Sequence, residues 1–264
     1  MDGLRERGIP ARLIREATLG TTHARLRAIR ETTQEWLLFV DDDNELDPGY
    51  IAEGMKFALS SGDIGCFGGK ILLPSNLRGR DWLEPFLPYL AIKDLGEKPI
   101  VHWGPSWAPS EPPAAGAFVR RSVLNLFLKK AADNPAVFRL GRVGKRNLAS
   151  CEDSLLMRGA FSLQLATAYN PKMVLYHHID PRRLSFTYLM RLMYAYGVSH
   201  VNLEWLLNGP QVTPNRYASP VAFLGFLRSF LERSGRSSLP FRVGMVAYHL
   251  GSRAQHLRSS RSAV

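Results

Sequence analysis

Three consecutive aspartates, Asp41, Asp42 and Asp43, followed by Asn44, close a run of five apolar residues, Trp36-Leu37-Leu38-Phe39-Val40. Carboxylates a few ångströms apart repel, so one of them takes a proton or a cation settles among them. Hard divalent ions such as Mg²⁺ accept one or two carboxylates and complete their shell with substrate phosphates. The cluster therefore points to a metal–diphosphate site. The competing reading is a solvated acidic turn in which Asp43 or Asp47 caps a helix. On an extended chain Asp41 and Asp43 would face one way and Asp42 the other.

Two other chemistries fit less well. A calcium loop of the D-x-D-x-D-G kind needs glycine at its sixth position, where this chain has Leu46. A phosphatase with an aspartyl nucleophile also uses D-x-D at a strand end, but the threonine expected two residues on is Glu45.

A second acid pair, Glu152-Asp153, opens a helical segment, where the helix dipole favours negative charge. A carboxylate there that faces a cleft could take the proton of a hydroxyl; otherwise it is an ordinary helix cap. His177-His178 end a strand-like run and precede Asp180-Pro181-Arg182-Arg183. His177 either ligates a metal or is a satisfied structural residue. Arg182 and Arg183 suit diphosphate oxygens, which guanidinium groups pair with bidentately, or they are solvated surface charges.

These residues need a scaffold, and the pattern supplies one. Arg12–Ile14 reads as a short strand, and Thr21 or Thr22 caps a helix to about Glu31. Trp36–Val40 reads as a strand buried on both faces, as in a parallel sheet. A helix follows from Asp47-Pro48 to about Leu59, then a strand over Asp63–Leu73, where Gly68-Gly69 permits a bulge or close backbone approach. Pro74–Pro113 is a long, weakly periodic excursion of the kind that forms binding loops. Ala114–Val119 resumes a strand, Ser122–Lys130 a helix, Ser154–Gly159 a short helix, and Leu163–Tyr169 and Met173–His177 two more strands. From Ser185 to Leu207 the composition turns helical. The alternation gives the class α/β, an open, mostly parallel sheet flanked by helices, over residues 1–184. A helical, arginine-rich region, 185–264, follows.

Of the 264 residues, 45% are hydrophobic and 22% charged, which excludes wholesale disorder and collagen-like repeats. Two cysteines, Cys66 and Cys151, are too few and too far apart for a disulfide scaffold or thiolate zinc site, and they favour a reducing compartment. The net charge is +11, but Arg216–Val264 holds eight arginines against one acid, Glu232. The rest is nearly balanced, which argues against a nucleic-acid-binding surface across the main region. The apolar stretches at Pro220–Leu227 and Met245–Leu250 fall well short of the roughly 20 residues that span a bilayer.

In order and spacing the pieces resemble the inverting family 2 glycosyltransferases of GT-A fold. Glu35–Asp43 is similar to that family's strand ending in D-x-D, and Gly116-Ala117-Phe118-Val119-Arg120-Arg121 to the glycine-led segment beside its acceptor pocket. Cys151–Arg158 resembles its E-D-x-x-L-x-x-R helix start, and Tyr169-Asn170-Pro171 through Tyr176-His177-His178 its strand ending in histidine. The resemblance implies a sugar moved with inversion from a nucleotide-diphosphate donor, a UDP-sugar in the first instance, to a hydroxyl of a glycan or lipid-linked acceptor. Asp43, assisted by His177, would hold Mg²⁺ or Mn²⁺. Asp41, Asp42, Arg25 and Arg183 would contact the nucleotide diphosphate, with Asp41 near the ribose. Asp153 would be the general base, with Glu152 beside it.

The match departs from the family at two places. Leu26 stands in Ala24-Arg25-Leu26 where the family has asparagine, and Met1–Pro10 contains no counterpart of the family's base-gripping first strand. That departure suggests a truncated start and weak activity, or a binding or scaffold role. The helical region from Ser185 mixes apolar residues with arginine, as a surface resting on anionic lipid does, or as a helical subdomain with a solvated basic rim does. The former would place the protein in the cytoplasm, peripheral on the inner face of the membrane.

Overall fold

A computed structural model describes residue 6 and residues 8–74, 81–144, 147–209, 214–233 and 237–262. The elements are α1 (Thr21–Arg30), β1 (Trp36–Leu38), β2 (Asn44–Leu46), α2 (Tyr50–Ser60), β3 (Ile64–Leu72), β4 (Ile100–His102), β5 (Phe118–Arg120), α3 (Arg121–Asp133), α4 (Glu152–Ser162) and β6 (Ala166–His177). Helices α5 (Phe186–Asn208), α6 (Asn215–Ala218), α7 (Pro220–Arg233) and α8 (Leu239–Ser262) complete the chain. The α/β class holds: a curled sheet carries helices on its faces, as a GT-A-like fold does, and the C-terminal region is helical.

The sheet runs β1-β5-β3-β6-β2, with β4 sharing the outer edge of β6 with β2. Among the described residues only β3 and β6 run parallel, and every other strand pairing is antiparallel. The sheet is thus mixed rather than mostly parallel. The run Trp36–Val40 is the reason the expectation missed. Its ordered part, β1, lies at the edge among the described residues, pairs only with β5, and is half-buried. Burial on both faces belongs instead to β3, where Ile64–Ile71 are all buried between two neighbours.

Side-chain alternation along β3 and β5 feeds two cores. Cys66 and Val119 pack with α1, α3 and α4 on one face. Phe67 and Phe118 stack at 5.0 Å on the other face, in the cluster that includes Tyr50 of α2. Gly69 is the predicted close approach: a Cβ there would lie 1.9 Å from the Met173 carbonyl oxygen. The β3–β6 register slips at that point, from Gly68 opposite Tyr169 to Lys70 opposite Val174. Two expected strands therefore become one irregular strand of 12 residues, β6.

Arg12–Ile14 forms no strand, and Leu13 is 68% exposed. The excursion from Pro74 to Pro113 is more ordered than expected, since it contains a 3₁₀ segment (Asp81–Leu90) and β4; residues 75–80 lie outside the described ones. Leu83, Phe86 and Leu90 of that segment enter a third core with Leu189, Leu192 and Met193 of α5. Helices α5 and α8 cross with their backbones in contact. A Cβ on Gly197 would lie 2.0 Å from the Tyr248 oxygen, and one on Gly251 would lie 2.1 Å from the Tyr194 oxygen.

Candidate active site

The strand ends at Leu38, and the acidic triplet that follows is a turn rather than extended chain. The Asn44 amide donates to the Asp41 carbonyl at 3.1 Å, and the Asp41 amide donates to Asn44 Oδ1 at 3.2 Å. The turn removes the alternation expected of an extended chain, and all three aspartates face one cleft. Pairing of β2 with β6 sets Asn44 opposite His177, so the triplet's last member meets the end of β6.

There His177 Nε2 donates to Asp43 Oδ2 at 3.3 Å, and Arg183 Nη1 donates to the same oxygen at 3.1 Å. The His177 hydrogen bond holds the Asp43 carboxyl below its ordinary range against partial burial, helped by the charge of Arg183. His177 Nδ1 and Arg183 Nε are buried without hydrogen-bond partners. Arg182, by contrast, pairs with Asp180 at the surface and stays out of the cleft.

The second acid pair sits opposite, at the start of α4. Cys151, just before the helix, has φ +81°, a left-handed backbone that few non-glycine residues adopt. Glu152 and Asp153 then diverge. Glu152 is 3% exposed, 3.0 Å from Arg25 Nη1, and accepts from Thr21 Oγ1 at 2.7 Å. Thr21 in turn exchanges hydrogen bonds with the Arg142 backbone, so this network ties the first turn of α1 to the loop before α4. Burial works against the charge on Arg25, yet Glu152, Asp153 and Asp41 together hold it firmly protonated. Asp153 keeps a half-buried carboxylate that accepts from the Ser154 amide at 3.0 Å and the Ala114 amide at 3.4 Å.

The floor between the two acid groups is pinned from behind. Gly116 has φ +75°, and Tyr50 Oη donates to its carbonyl at 2.5 Å. Its amide donates to the Phe39 carbonyl, extending the β1–β5 ladder toward Pro113–Ala115. The resulting cleft has a volume of about 300 Å³. Arg25, Asp41, Asp42, Asp43, Glu152, Asp153, His177 and Arg183, the residues singled out from sequence, all line it.

Several lining residues escaped the sequence reading. Tyr89 and Tyr196 meet edge to face at 5.3 Å, and Ser150 and Arg142 complete that side. Arg142 lies in a Gly-Arg-Val-Gly stretch with no motif around it; nothing in the sequence marks it. Arg158, at the end of the E-D-x-x-L-x-x-R run, is buried on Glu111 at 3.0 Å and reaches Glu204 of α5 at 3.4 Å.

A divalent cation suits Asp43 and His177 by donor chemistry, a hard carboxylate with an imidazole Nε2 3.3 Å away. Among the described residues no group of three or more His, Cys, Asp or Glu side chains could hold a metal alone. Such an ion would share its shell with a ligand's phosphates, as Mg²⁺ does.

Residues 1–107 match the model of the family described as Glycosyl transferase family 2, a span that includes β1, the acidic turn, β3 and β4. That match, over less than half of the chain, supports a family 2 glycosyltransferase-like domain and a glycosyltransferase-type function. No curated protein matches the chain.

Proposed function

We propose that the cleft transfers a sugar, with inversion, from a nucleotide-diphosphate donor such as a UDP-sugar to a hydroxyl of a glycan or lipid-linked acceptor. One observation carries this reading: the two acid groups and the basic side chains that the chemistry requires line a single cleft. Arg183 and Arg25 face the paired phosphates, and Asp41 and Asp42 lie toward the nucleoside. Asp43 and His177 would hold Mg²⁺ or Mn²⁺, which supplies positive charge to stabilise the leaving diphosphate.

Asp153 accepts the proton of the acceptor hydroxyl as its oxygen attacks the anomeric carbon. The new carbon–oxygen bond forms while the bond to the diphosphate breaks on the opposite face. The two amides that donate to Asp153 fix its carboxylate, and Glu152, held by Arg25 and Thr21, positions α4 rather than meeting substrate. Tyr89 and Tyr196 offer aromatic faces on which a sugar ring can pack.

Calorimetry with UDP and Mn²⁺ tests the donor half: the wild-type chain should bind and Asp43→Ala should not. Transfer from a UDP-sugar tests the chemical half: Asp153→Asn should bind donor and fail to transfer. Donor binding unchanged by Asp43→Ala would overturn this assignment.

We further propose peripheral attachment to an anionic membrane on its cytoplasmic side. Val221 and Leu224 of α7, 81% and 65% exposed, offer an apolar face to a bilayer surface, and the exposed Arg228 beside them pairs with Glu232 at 2.9 Å. Among the described residues no helix is long and apolar enough to cross a membrane. Equal co-sedimentation with neutral and anionic vesicles would end this idea.

A further inference from the structure

Glu111 is a buried carboxylate on the loop between β4 and β5, and it does not line the cleft. Arg158 Nε donates to it at 3.0 Å, and the Ser154 hydroxyl gives it a further hydrogen bond. Both donors belong to α4, and Ser154 follows Asp153 directly. Burial pushes the Glu111 carboxyl above its ordinary range, while the charge of Arg158 and these hydrogen bonds oppose that rise. Behind it, the Glu111 carbonyl accepts from Lys93 Nζ, and Lys93 exchanges backbone hydrogen bonds of 2.8 and 2.9 Å with Ile71 of β3. Glu111 is thereby tied both to the central sheet and to the helix that carries Asp153.

Three residues on, the Ala114 amide donates to Asp153 Oδ2 at 3.4 Å, while Asp153 Oδ1 accepts from the Ser154 amide. The spacer between Glu111 and Ala114 is Pro112-Pro113, whose rings lock φ and leave the chain little freedom. Pro112 also packs over Gly68 of β3, where an added Cβ would lie 3.0 Å from the proline Cβ. The place of Glu111 therefore sets the place of the Ala114 amide. We infer that Glu111 is a positioning residue for the transfer step: its clamp on α4 holds the Ala114 amide against Asp153, so that the carboxylate keeps one orientation toward the acceptor hydroxyl. Held at Oδ1 alone, that carboxylate could turn about its Cβ–Cγ bond. This rests on the transferase reading with Asp153 as base, and adds to it a residue that never meets substrate. Arg158 also pairs with Glu204 of α5 at 3.4 Å, so removing the Glu111 side chain leaves no bare charge on α4.

The test uses the whole chain with Mn²⁺ and reads UDP release from UDP-glucose or UDP-N-acetylglucosamine, water taking the acceptor's place. Glu111→Ala should lower kcat about 10²-fold, the loss that goes with a misplacement of about 1 Å, and leave donor KM and UDP–Mn²⁺ affinity unchanged. In the Asp153→Asn background Glu111→Ala should cost nothing more, because a residue that acts through Asp153 then has nothing to position. A merely structural role predicts losses that add. Pro112→Gly loosens the spacer without touching a charge and should lower kcat in the same way, so a folding defect in Glu111→Ala does not decide the matter. Hydrogen exchange supplies a readout besides activity: in Glu111→Ala the Ala114 amide should exchange roughly tenfold faster while the β3 amides keep their protection. Wild-type kcat in both single variants, additive losses in the double variant, or unchanged protection of Ala114 would overturn the inference. A wild-type chain that neither binds UDP–Mn²⁺ nor releases UDP would strike the transferase reading instead, and exchange at Ala114 would still decide whether the clamp exists.

Discussion

Arg25 of α1 and Glu152 of α4 form an ion pair at 3.0 Å, with 17% and 3% of their side chains exposed. This contact joins a helix before β1 to a helix before β6, elements far apart in sequence, and it lies at the rim of the cleft. Removing one partner of a buried pair strands the other charge, which costs about 3–5 kcal/mol. Glu152→Ala should therefore lower unfolding stability by about that amount in urea titrations. A loss near zero would mean that Arg25 finds water once released.

Asp153, the next residue, should behave in the opposite way. Its carboxylate is half-buried in the cleft and bonded only to backbone amides among the described residues. Asp153→Asn keeps size and one acceptor oxygen but cannot take a proton. Transfer rate should fall roughly 10²–10⁴-fold, the usual contribution of a positioned base. The midpoint of thermal unfolding and the affinity for UDP should stay near wild type. A variant that transfers at wild-type rate would remove Asp153 from the base role.

His177→Ala releases Asp43 from the hydrogen bond that does most to hold its carboxyl below 3.8. With a lowered native value, Asp43 adds stability that is full above its unfolded pKa and disappears as pH falls through the native one. In the variant the carboxyl should titrate closer to its ordinary value, visible by carbon-detected NMR, and Mn²⁺-dependent UDP binding should weaken. An unmoved Asp43 titration would assign its depression to Arg183 and the backbone hydrogen bond instead.

The site was more legible in the sequence than the fold that carries it. Acidic triplets, the Glu152-Asp153 pair and the His177 strand end are local signatures, and each reached the cleft. The sheet was harder because a strand's neighbours are not written in its own residues. Trp36–Val40 and Ile64–Leu72 look alike as apolar runs, yet among the described residues one is an edge and the other is central. Arg142, Tyr89 and Tyr196 reach the cleft through loops and the α5 packing rather than through any motif. The bulge at Gly69, by contrast, was readable, because paired glycines inside a strand seldom serve anything but close approach.

The α5–α8 crossing depends on atoms that are missing. With the Tyr248 oxygen 2.0 Å from where a Gly197 Cβ would sit, even Gly197→Ala must push the helices apart. Overpacking of this kind costs about 1–3 kcal/mol. Urea unfolding should show the loss. Wild-type stability in Gly197→Ala would show that the crossing is looser than its backbone contact implies.

Lys93 supplies a prediction in pH. Its ammonium donates to the Glu111 carbonyl, and burial pushes its pKa down to about 8 from 10.5, against the opposing charges of Glu111 and Asp153. Below pH 8 both folded and unfolded chains carry the proton, and the fold bears the full cost of burying it. Between 8 and 10.5 the unfolded chain still holds the proton while the native state has released it, so stability attributable to this residue rises with pH. Lys93→Met abolishes the titration and keeps the side chain's length and apolar stem. The difference in unfolding free energy between wild type and variant, measured at pH 7, 8.5 and 10, should therefore move steadily in favour of wild type. Because it is a difference, the tyrosines and lysines that titrate in the same range and lie far from Lys93 cancel. A flat difference would mean that Lys93 is hydrated in the native protein and that its place beside Glu111 costs the fold nothing.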